Sequence, residues 1–320
     1  MDFSFTTEQD DLRRTVRQVG ERWERSDTDF DPKLWEVLTG QLGLAALAVP
    51  EAQGGLDASW VEVAVALDEV GAALLPVPLL SVVVAASALG DDPALADVAA
   101  GSRVAAFVTG VGGHVLDGAV AQVFVALADD GVYAVDATDA KVEPLAPLDQ
   151  TRGQARVALD RSRARKVGDA AASARALDLA RVALAVESVG GARHCLDMTV
   201  DFLKTRVQFG RVIGSFQALK HRAADLAVEL EAATATAYYA AWAASSAPDE
   251  LPVVAPLAKA VCTSAYLHIA AETIQLHGGI GFTWEHDAHR YFKRATTNAA
   301  FLGDAATHRR LVADRAGLGQ

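Results

Sequence analysis

Arg206-Val-Gln-Phe-Gly-Arg-Val-Ile-Gly-Ser-Phe-Gln217 is the stretch on which the reading of this chain turns. It places a cation, a glycine-punctuated turn and an amide within one short segment, between two segments that both carry a helical apolar period. Gly210 and Gly214 permit backbone conformations closed to other residues. Arg206 can make forked hydrogen bonds to a phosphate, and Gln217 offers both a donor and an acceptor. The plainer reading is a helix-to-helix turn carrying a surface arginine. Taken alone the stretch leaves both open.

Working outward, residues 170–206 have no proline and place Leu177, Ala180, Leu184, Val189, Leu196 and Phe202 at apolar positions. Residues 212–247 read as a second long helix, residues 256–277 as a third, and the remainder as one or two short ones. Long helices with short connections predict an antiparallel bundle. The first hundred residues are also helical in period. Thr6-Thr-Glu-Gln9 has the form of a capping box ahead of the stripe Leu12, Val16, Val19 and Trp23. Further helices are predicted over residues 34–42, 59–73 and 79–89.

Between Gly101 and about Lys166 the period shortens. Val123-Phe-Val-Ala-Leu-Ala128, then Asp129-Asp-Gly131, then Val132-Tyr-Ala-Val-Asp-Ala137 reads as a β-hairpin, with further strands over residues 103–109 and 155–160. The expected organisation is mainly α with a small β module: a helical domain over 1–100, a β domain over 101–166 and a helical bundle over 167–320. So small a module is expected to lean on its neighbours for stability.

The bulk chemistry narrows the class. With 51% hydrophobic and 22% charged residues, 320 residues can bury a sizeable core. A net charge of −12 argues against a nucleic-acid partner. The two cysteines, Cys195 and Cys262, imply no disulfide framework and fit a reducing cytoplasm. The acidic N-terminus lacks the basic start of a signal peptide. The uncharged run over residues 71–90 carries Pro76 and Pro78, which favours two buried helices over a membrane span.

Gln275-Leu-His-Gly-Gly-Ile-Gly-Phe282 ends the third long helix on Gly278 and Gly279, either as a cap or to let a ligand approach the backbone. His277, His286 and His289 cluster without a completing cysteine or carboxylate, so no metal site is expected. Asp178 and Arg181, three apart on a helix, read as a surface ion pair, and Glu187 as a solvated helix carboxylate.

Together these stretches resemble the acyl-CoA dehydrogenase family over nearly the whole chain. The opening Met-Asp-Phe-Ser-Phe-Thr-Thr-Glu-Gln resembles its N-terminal helix, and Leu42-Gly-Leu through Pro50-Glu-Ala-Gln-Gly-Gly55 its next signature. Arg206 to Gln217, continuing through Lys220-His221 and Ala224-Asp225, is similar to the third. Gln275 to Phe282 is similar to the fourth. The resemblance implies a helical domain, a β domain and a bundle assembled as a tetramer, with α,β-desaturation of an acyl-CoA thioester by a carboxylate base and FAD. It implies that each FAD crosses a subunit interface. Arg206 would pair with the pyrophosphate. Gln208, Phe209, Ile213, Phe216 and Gln217 would line the adenosine end, with Gln275, Gly278 and Gly279 beside them. Asp178 and Arg181 match a pair near the acyl-CoA.

The remaining family features are absent. Arg103-Val-Ala-Ala-Phe-Val-Thr-Gly110 replaces the segment that opens the family's flavin-contacting β domain. The two base positions of the family hold Leu302 and Ala180, neither able to accept a proton; Glu187 and Asp304 are the nearby substitutes. The expectation is therefore a cytoplasmic subunit of a heteromeric acyl-CoA dehydrogenase resembling those that degrade steroids. It would lend the ADP half of the FAD site to a longer partner that carries the catalytic glutamate, with electron-transfer flavoprotein as acceptor. A stand-alone homotetramer with a non-standard base and a non-catalytic FAD- or acyl-CoA-binding scaffold are the alternatives.

Overall fold

In the computed structural model the described residues are 4–24, 28–110 and 113–318, so the first three residues of the opening motif lie outside them. Helix α1 (Thr7–Arg22) starts at the capping box: Thr6 Oγ1 accepts from Gln9 N–H at 3.3 Å and Gln9 Oε1 from Thr6 N–H at 3.0 Å. Residues 34–42 do not form one helix. A five-residue turn of α2 (Pro32–Glu36), capped by Asp31, widens into a π-helical turn over Val37–Gln41. Helices α3 (Trp60–Ala73) and α4 (Leu79–Ala88) flank the Pro76 and Pro78 break, and α5 (Ala94–Ala99) closes the helical N-terminal part.

Strands follow from Ala105 to Gly168 in two sheets. One has the order β1 (Ala105–Thr109), β3 (Val123–Ala128), β4 (Gly131–Asp136), β7 (Arg165–Gly168). The other has the order β2 (His114–Leu116), β6 (Gln154–Leu159), β5 (Ala140–Leu145). The β3–β4 hairpin closes on Asp129 and Asp130, with Ala128 opposite Gly131. Alternation along β1 sends Ala106 and Val108 into a core shared by the two sheets, while Ala105 and Phe107 join the main core with α3 and α4. The first sheet is thus covered on both faces. That is why its strands read as nearly continuous apolar runs.

The bundle contains α6 (Ala170–Thr205), α7 (Gln217–Ser246), α8 (Leu251–His277), α9 (Ala288–Ala300) and α10 (Ala305–Arg315). Helix α6 crosses α3 at contact distance: a Cβ added at Gly190 would stand 1.9 Å from the Asp68 carbonyl oxygen. Helix α8 begins five residues earlier than its period suggested and passes through Pro256 without ending. It is long and apolar enough to cross a membrane, yet 61% of its most apolar window is buried inside the fold. The main cluster joins α1 through α6, the first sheet, α7 and α8 in one hydrophobic core, the dominant source of stability in a chain of this kind.

Candidate functional site

Three helix ends meet at one end of the bundle. Phe202, in the last turn of α6, stacks on His277, the last residue of α8, with ring centroids 4.5 Å apart. Arg222, near the start of α7, pairs with Glu272 near the end of α8. The two motifs that are about seventy residues apart in sequence are therefore neighbours in space.

The connection after α6 is a miniature hairpin. Strands β8 (Val207–Gln208) and β9 (Arg211–Val212) pair antiparallel around Phe209 and Gly210, whose φ angles are +54° and +76°. Positive φ at both turn residues is the geometry of a two-residue hairpin whose twist matches its strands. Phe209 pays the strain of a left-handed backbone for a side chain that is 89% exposed. Arg211 lies 4.0 Å over the ring of Phe216, which Phe209 meets edge-on. Ile213 and Phe216 are half-buried beneath the ribbon.

Three polar side chains of this end face solvent. Arg206, Gln217 and Gln275 are exposed, and Arg206 forms no ion pair among the described residues. Phe216 is the N-cap of helix α7 and no side chain caps its first N–H groups; Gln217 is its first residue. The free N–H groups and dipole of a 30-residue helix favour an anion there. At Gly278 and Gly279 an added Cβ would meet nothing within 4 Å, so both backbones face open space. Gln208 is exposed and uses its amide on the Val207 carbonyl. The sequence-predicted residues from Arg206 to Gly279 thus gather at one surface. His277 is buried and spends Nδ1 on the Thr273 carbonyl, and the described residues hold no cluster able to ligate a metal.

The interior holds something the sequence reading missed. Glu187 is not solvated: it is 2% exposed and sits in an ionic lattice between the β module and the bundle. Arg152, from the strap between β5 and β6, pairs with Glu187 and donates to Asn298 Oδ1 at 3.1 Å. Arg294 pairs with Asp149, reaches Glu187 at 3.3 Å, and donates to Thr151 Oγ1 at 2.7 Å. Asn298 donates to Glu187 and Ser188. Burial alone would raise the Glu187 carboxyl, but the Arg152 and Arg294 charges outweigh it and hold it below the usual range. Asp149 behaves likewise. The available signal was weak: Glu187 interrupts an apolar run, and its partners lie 35 and 107 residues away.

Asp117 borders this lattice with its carboxyl against Ser81 Oγ. Burial, opposed by Arg152, pushes it up to about 6. A carboxyl raised in the folded state binds its proton more tightly there than in the unfolded chain. Its contribution to stability therefore falls as pH climbs from about 4 to about 6, then levels off. Asp117→Asn is expected to remove that slope and to stabilise the protein at pH 7–8 by on the order of 1–3 kcal/mol. Asparagine also tolerates the φ of +58° at this position. Denaturant melts of both forms at pH 4.5 and 7.5 measure it; equal stability differences at the two pH values would contradict it.

Asp178 and Arg181 are likewise buried, not a surface pair, and Asp178 is shared with Arg315 at 2.9 Å. Asp304 is exposed and caps α10 through the Thr307 N–H at 2.8 Å. Ala180 is fully buried. Leu302 packs against the main core from a left-handed backbone (φ +61°), and its neighbour Phe301 meets Phe107 of β1 at 6.0 Å. The turn is pinned from below: buried Lys259 donates to the Ala299 and Gly303 carbonyls, and His308 to the Leu302 carbonyl. Burial pushes Lys259 down to about 8 and His308 to about 4.

Residues 6–97 match the acyl-CoA dehydrogenase N-terminal domain and residues 168–317 its C-terminal domain. Acyl-CoA dehydrogenase IpdE2 of Mycobacterium tuberculosis is 40% identical over 282 residues, covering 87% of this chain and 84% of its own length. The chain belongs to the acyl-CoA dehydrogenase family. That is a family of FAD-dependent oxidoreductases acting on CH–CH bonds. The ChsE4–ChsE5 complex from Mycobacterium tuberculosis aligns over 100% of both chains, with TM-score 0.87 and 26% identity. The Tcur3481–Tcur3483 steroid ACAD aligns over 98% of both, with TM-score 0.86 and 27% identity. Acyl-CoA dehydrogenase FadE34 of Mycobacterium tuberculosis is 34% identical over 93% of this chain, which corresponds to only 44% of that protein.

Within the family frame, neither substitute carboxylate has the setting of a general base. Glu187 is sealed and held ionised by two arginines; Asp304 is engaged as a helix cap. A base needs hydrogen-bond reach to the proton that it removes.

Proposed function

We propose that this chain is the non-catalytic subunit of a heteromeric acyl-CoA dehydrogenase, lending the ADP half of an FAD site to a longer partner that carries the base. One contrast carries the reading. The family's two base positions hold Leu302 and Ala180, packed into the core, while the bundle end bearing Arg206, Gln217, Gln275, Gly278 and Gly279 is exposed and unpaired. In this reading the Arg206 guanidinium neutralises the pyrophosphate. Gln208, Phe209, Ile213, Phe216 and Gln217 would line the adenosine half, with the Gln275 amide beside it. Gly278 and Gly279 let it approach the backbone. Bound FAD supplies the hydride acceptor; the α-proton is taken by the partner's glutamate.

Similarity to two proteins described as a complex and as a steroid ACAD supports a heteromeric assembly and a steroid-derived acyl-CoA substrate. The match to less than half of the longer FadE34 is in keeping with a unit that works beside a second one. Electron-transfer flavoprotein is the proposed acceptor, and the cytoplasm, where buried Cys195 and Cys262 stay reduced, the proposed compartment. Asp304→Asn in the assembled complex tests the division of labour, since asparagine keeps the cap. Acyl-CoA turnover is expected to stay within about twofold of wild type, as for surface changes away from the chemistry. A loss of several orders of magnitude would instead make Asp304 the base of a stand-alone enzyme.

A further inference from the structure

The buried lattice between the β module and the bundle does not balance its charges. Arg152 and Arg294 face three carboxylates, Asp149, Glu187 and Asp117, and none of the five residues is more than 6% exposed. Among the described residues no other cation pairs with these carboxylates. With every group ionised the cluster would hold one uncompensated negative charge, which is strongly unfavourable in an interior. One of the three carboxylates is therefore the place for a proton.

The hydrogen bonds decide which one. Glu187 is bound by Arg152, Arg294 and the Asn298 amide. Asp149 is bound by Arg294 and accepts from the Thr151 N–H at 3.0 Å and its hydroxyl at 2.6 Å. Asp117 makes no hydrogen bond to either guanidinium, and its carboxyl meets only Ser81 Oγ of α4, at 2.5 Å. A hydroxyl can accept a proton as readily as donate one, so protonation costs least at Asp117. Burial raises the Asp117 pKa, whereas burial at Glu187 and Asp149 is outweighed by the arginine charges. Asp117 is also tied to the strap by backbone, its N–H donating to the Gly153 carbonyl at 2.8 Å, one residue beyond Arg152.

We infer that Asp117 is a proton-held latch: protonated, it leaves the lattice neutral and the strap over residues 146–153 closed on the bundle, and ionised, it loosens the strap. The charged groups around it are Arg152 of the strap, Glu187 of α6 and Arg294 of α9, with Asp149 across the lattice. Helix α4 carries no ionisable side chain. Asp29 reaches the strap from outside, its Oδ2 lying 2.9 Å from where a Cβ at Gly153 would stand, and His114 and Arg156 on β2 and β6 are exposed. Opening the strap admits water and returns Asp117 towards the ordinary carboxyl value of about 4. Opening is therefore favoured increasingly as pH climbs from about 4 to about 6, and levels off above.

The latch works within one chain, so its test needs no partner. Hydrogen–deuterium exchange of the full chain from pH 4.5 to 7.5, with each rate divided by its intrinsic rate, is followed on residues 114–120 and 146–154. The β3–β4 hairpin is the internal reference. In wild type, strap opening is expected to grow about tenfold or more between pH 4.5 and 6.5 and then level off, with the hairpin unchanged. In Asp117→Asn the strap is expected to stay as protected at every pH as wild type is at pH 4.5. Glu187→Gln removes one negative charge from the count, so its rise should end at a lower pH. A wild-type strap without pH-dependent opening, a rise that survives in Asp117→Asn, a rise shared equally by the hairpin, or an unchanged rise in folded Glu187→Gln overturns the latch.

Discussion

Arg294→Ala is expected to destabilise the folded chain by about 3–5 kcal/mol, the range for breaking one side of a buried charge network. The substitution strips a counter-charge from both Asp149 and Glu187, each almost fully buried, and leaves Thr151 without its donor. Water cannot replace it without opening the contact between strap and bundle. Tm should fall by roughly 10 °C. A cycle separates the network from simple loss of packing. The double variant Arg152→Met/Glu187→Met should cost less than the sum of the two single variants, with a coupling of on the order of 1–3 kcal/mol. Additive costs would mean that Arg152 and Glu187 do not interact as the geometry states.

The second large effect concerns cofactor retention. Arg206→Ala in the assembled complex should weaken FAD binding by about 1.5–3 kcal/mol, the range for one hydrogen bond to a charged group, or roughly 10- to 150-fold in Kd. Arg206 is exposed at the C-cap of α6 and its backbone N–H, bonded to the Phe202 carbonyl, does not depend on the side chain. Folding and assembly should therefore be unchanged. Flavin fluorescence on dilution gives the dissociation constant. Arg206→Lys, which keeps the charge but loses the fork, should fall between the two. Unchanged flavin affinity in Arg206→Ala would remove this residue from the site.

The sequence carried the local structure well where the signal is local. The Thr6 and Gln9 box, the Pro76 and Pro78 break and the glycine end of α8 each depend on residues a few positions apart, and each lies where it was read. Mainly helical order with a small β module was legible for the same reason. The 206–217 stretch was read as a turn or a clamp, and its hairpin went unseen because Phe209 adopts a backbone that its side chain disfavours. The buried charges were illegible for a different reason. Helices α3, α4, α6 and α8 are covered on most sides, so periodicity no longer separates inside from outside. Glu187 then looks solvated, because the cations that hold it come from the strap and α9, and Asp178 with Arg181 looks like a surface pair, because its second cation comes from α10. Lys259 is hidden similarly in the apolar run of α8.

The direct measurement is flavin and turnover counted per chain, for this protein alone and co-purified with its longer family partner. A colourless or poorly soluble single chain is expected, and a yellow complex that oxidises acyl-CoA with its base in the partner. A homogeneous sample of this chain alone, holding one FAD per subunit and turning over acyl-CoA, would contradict it.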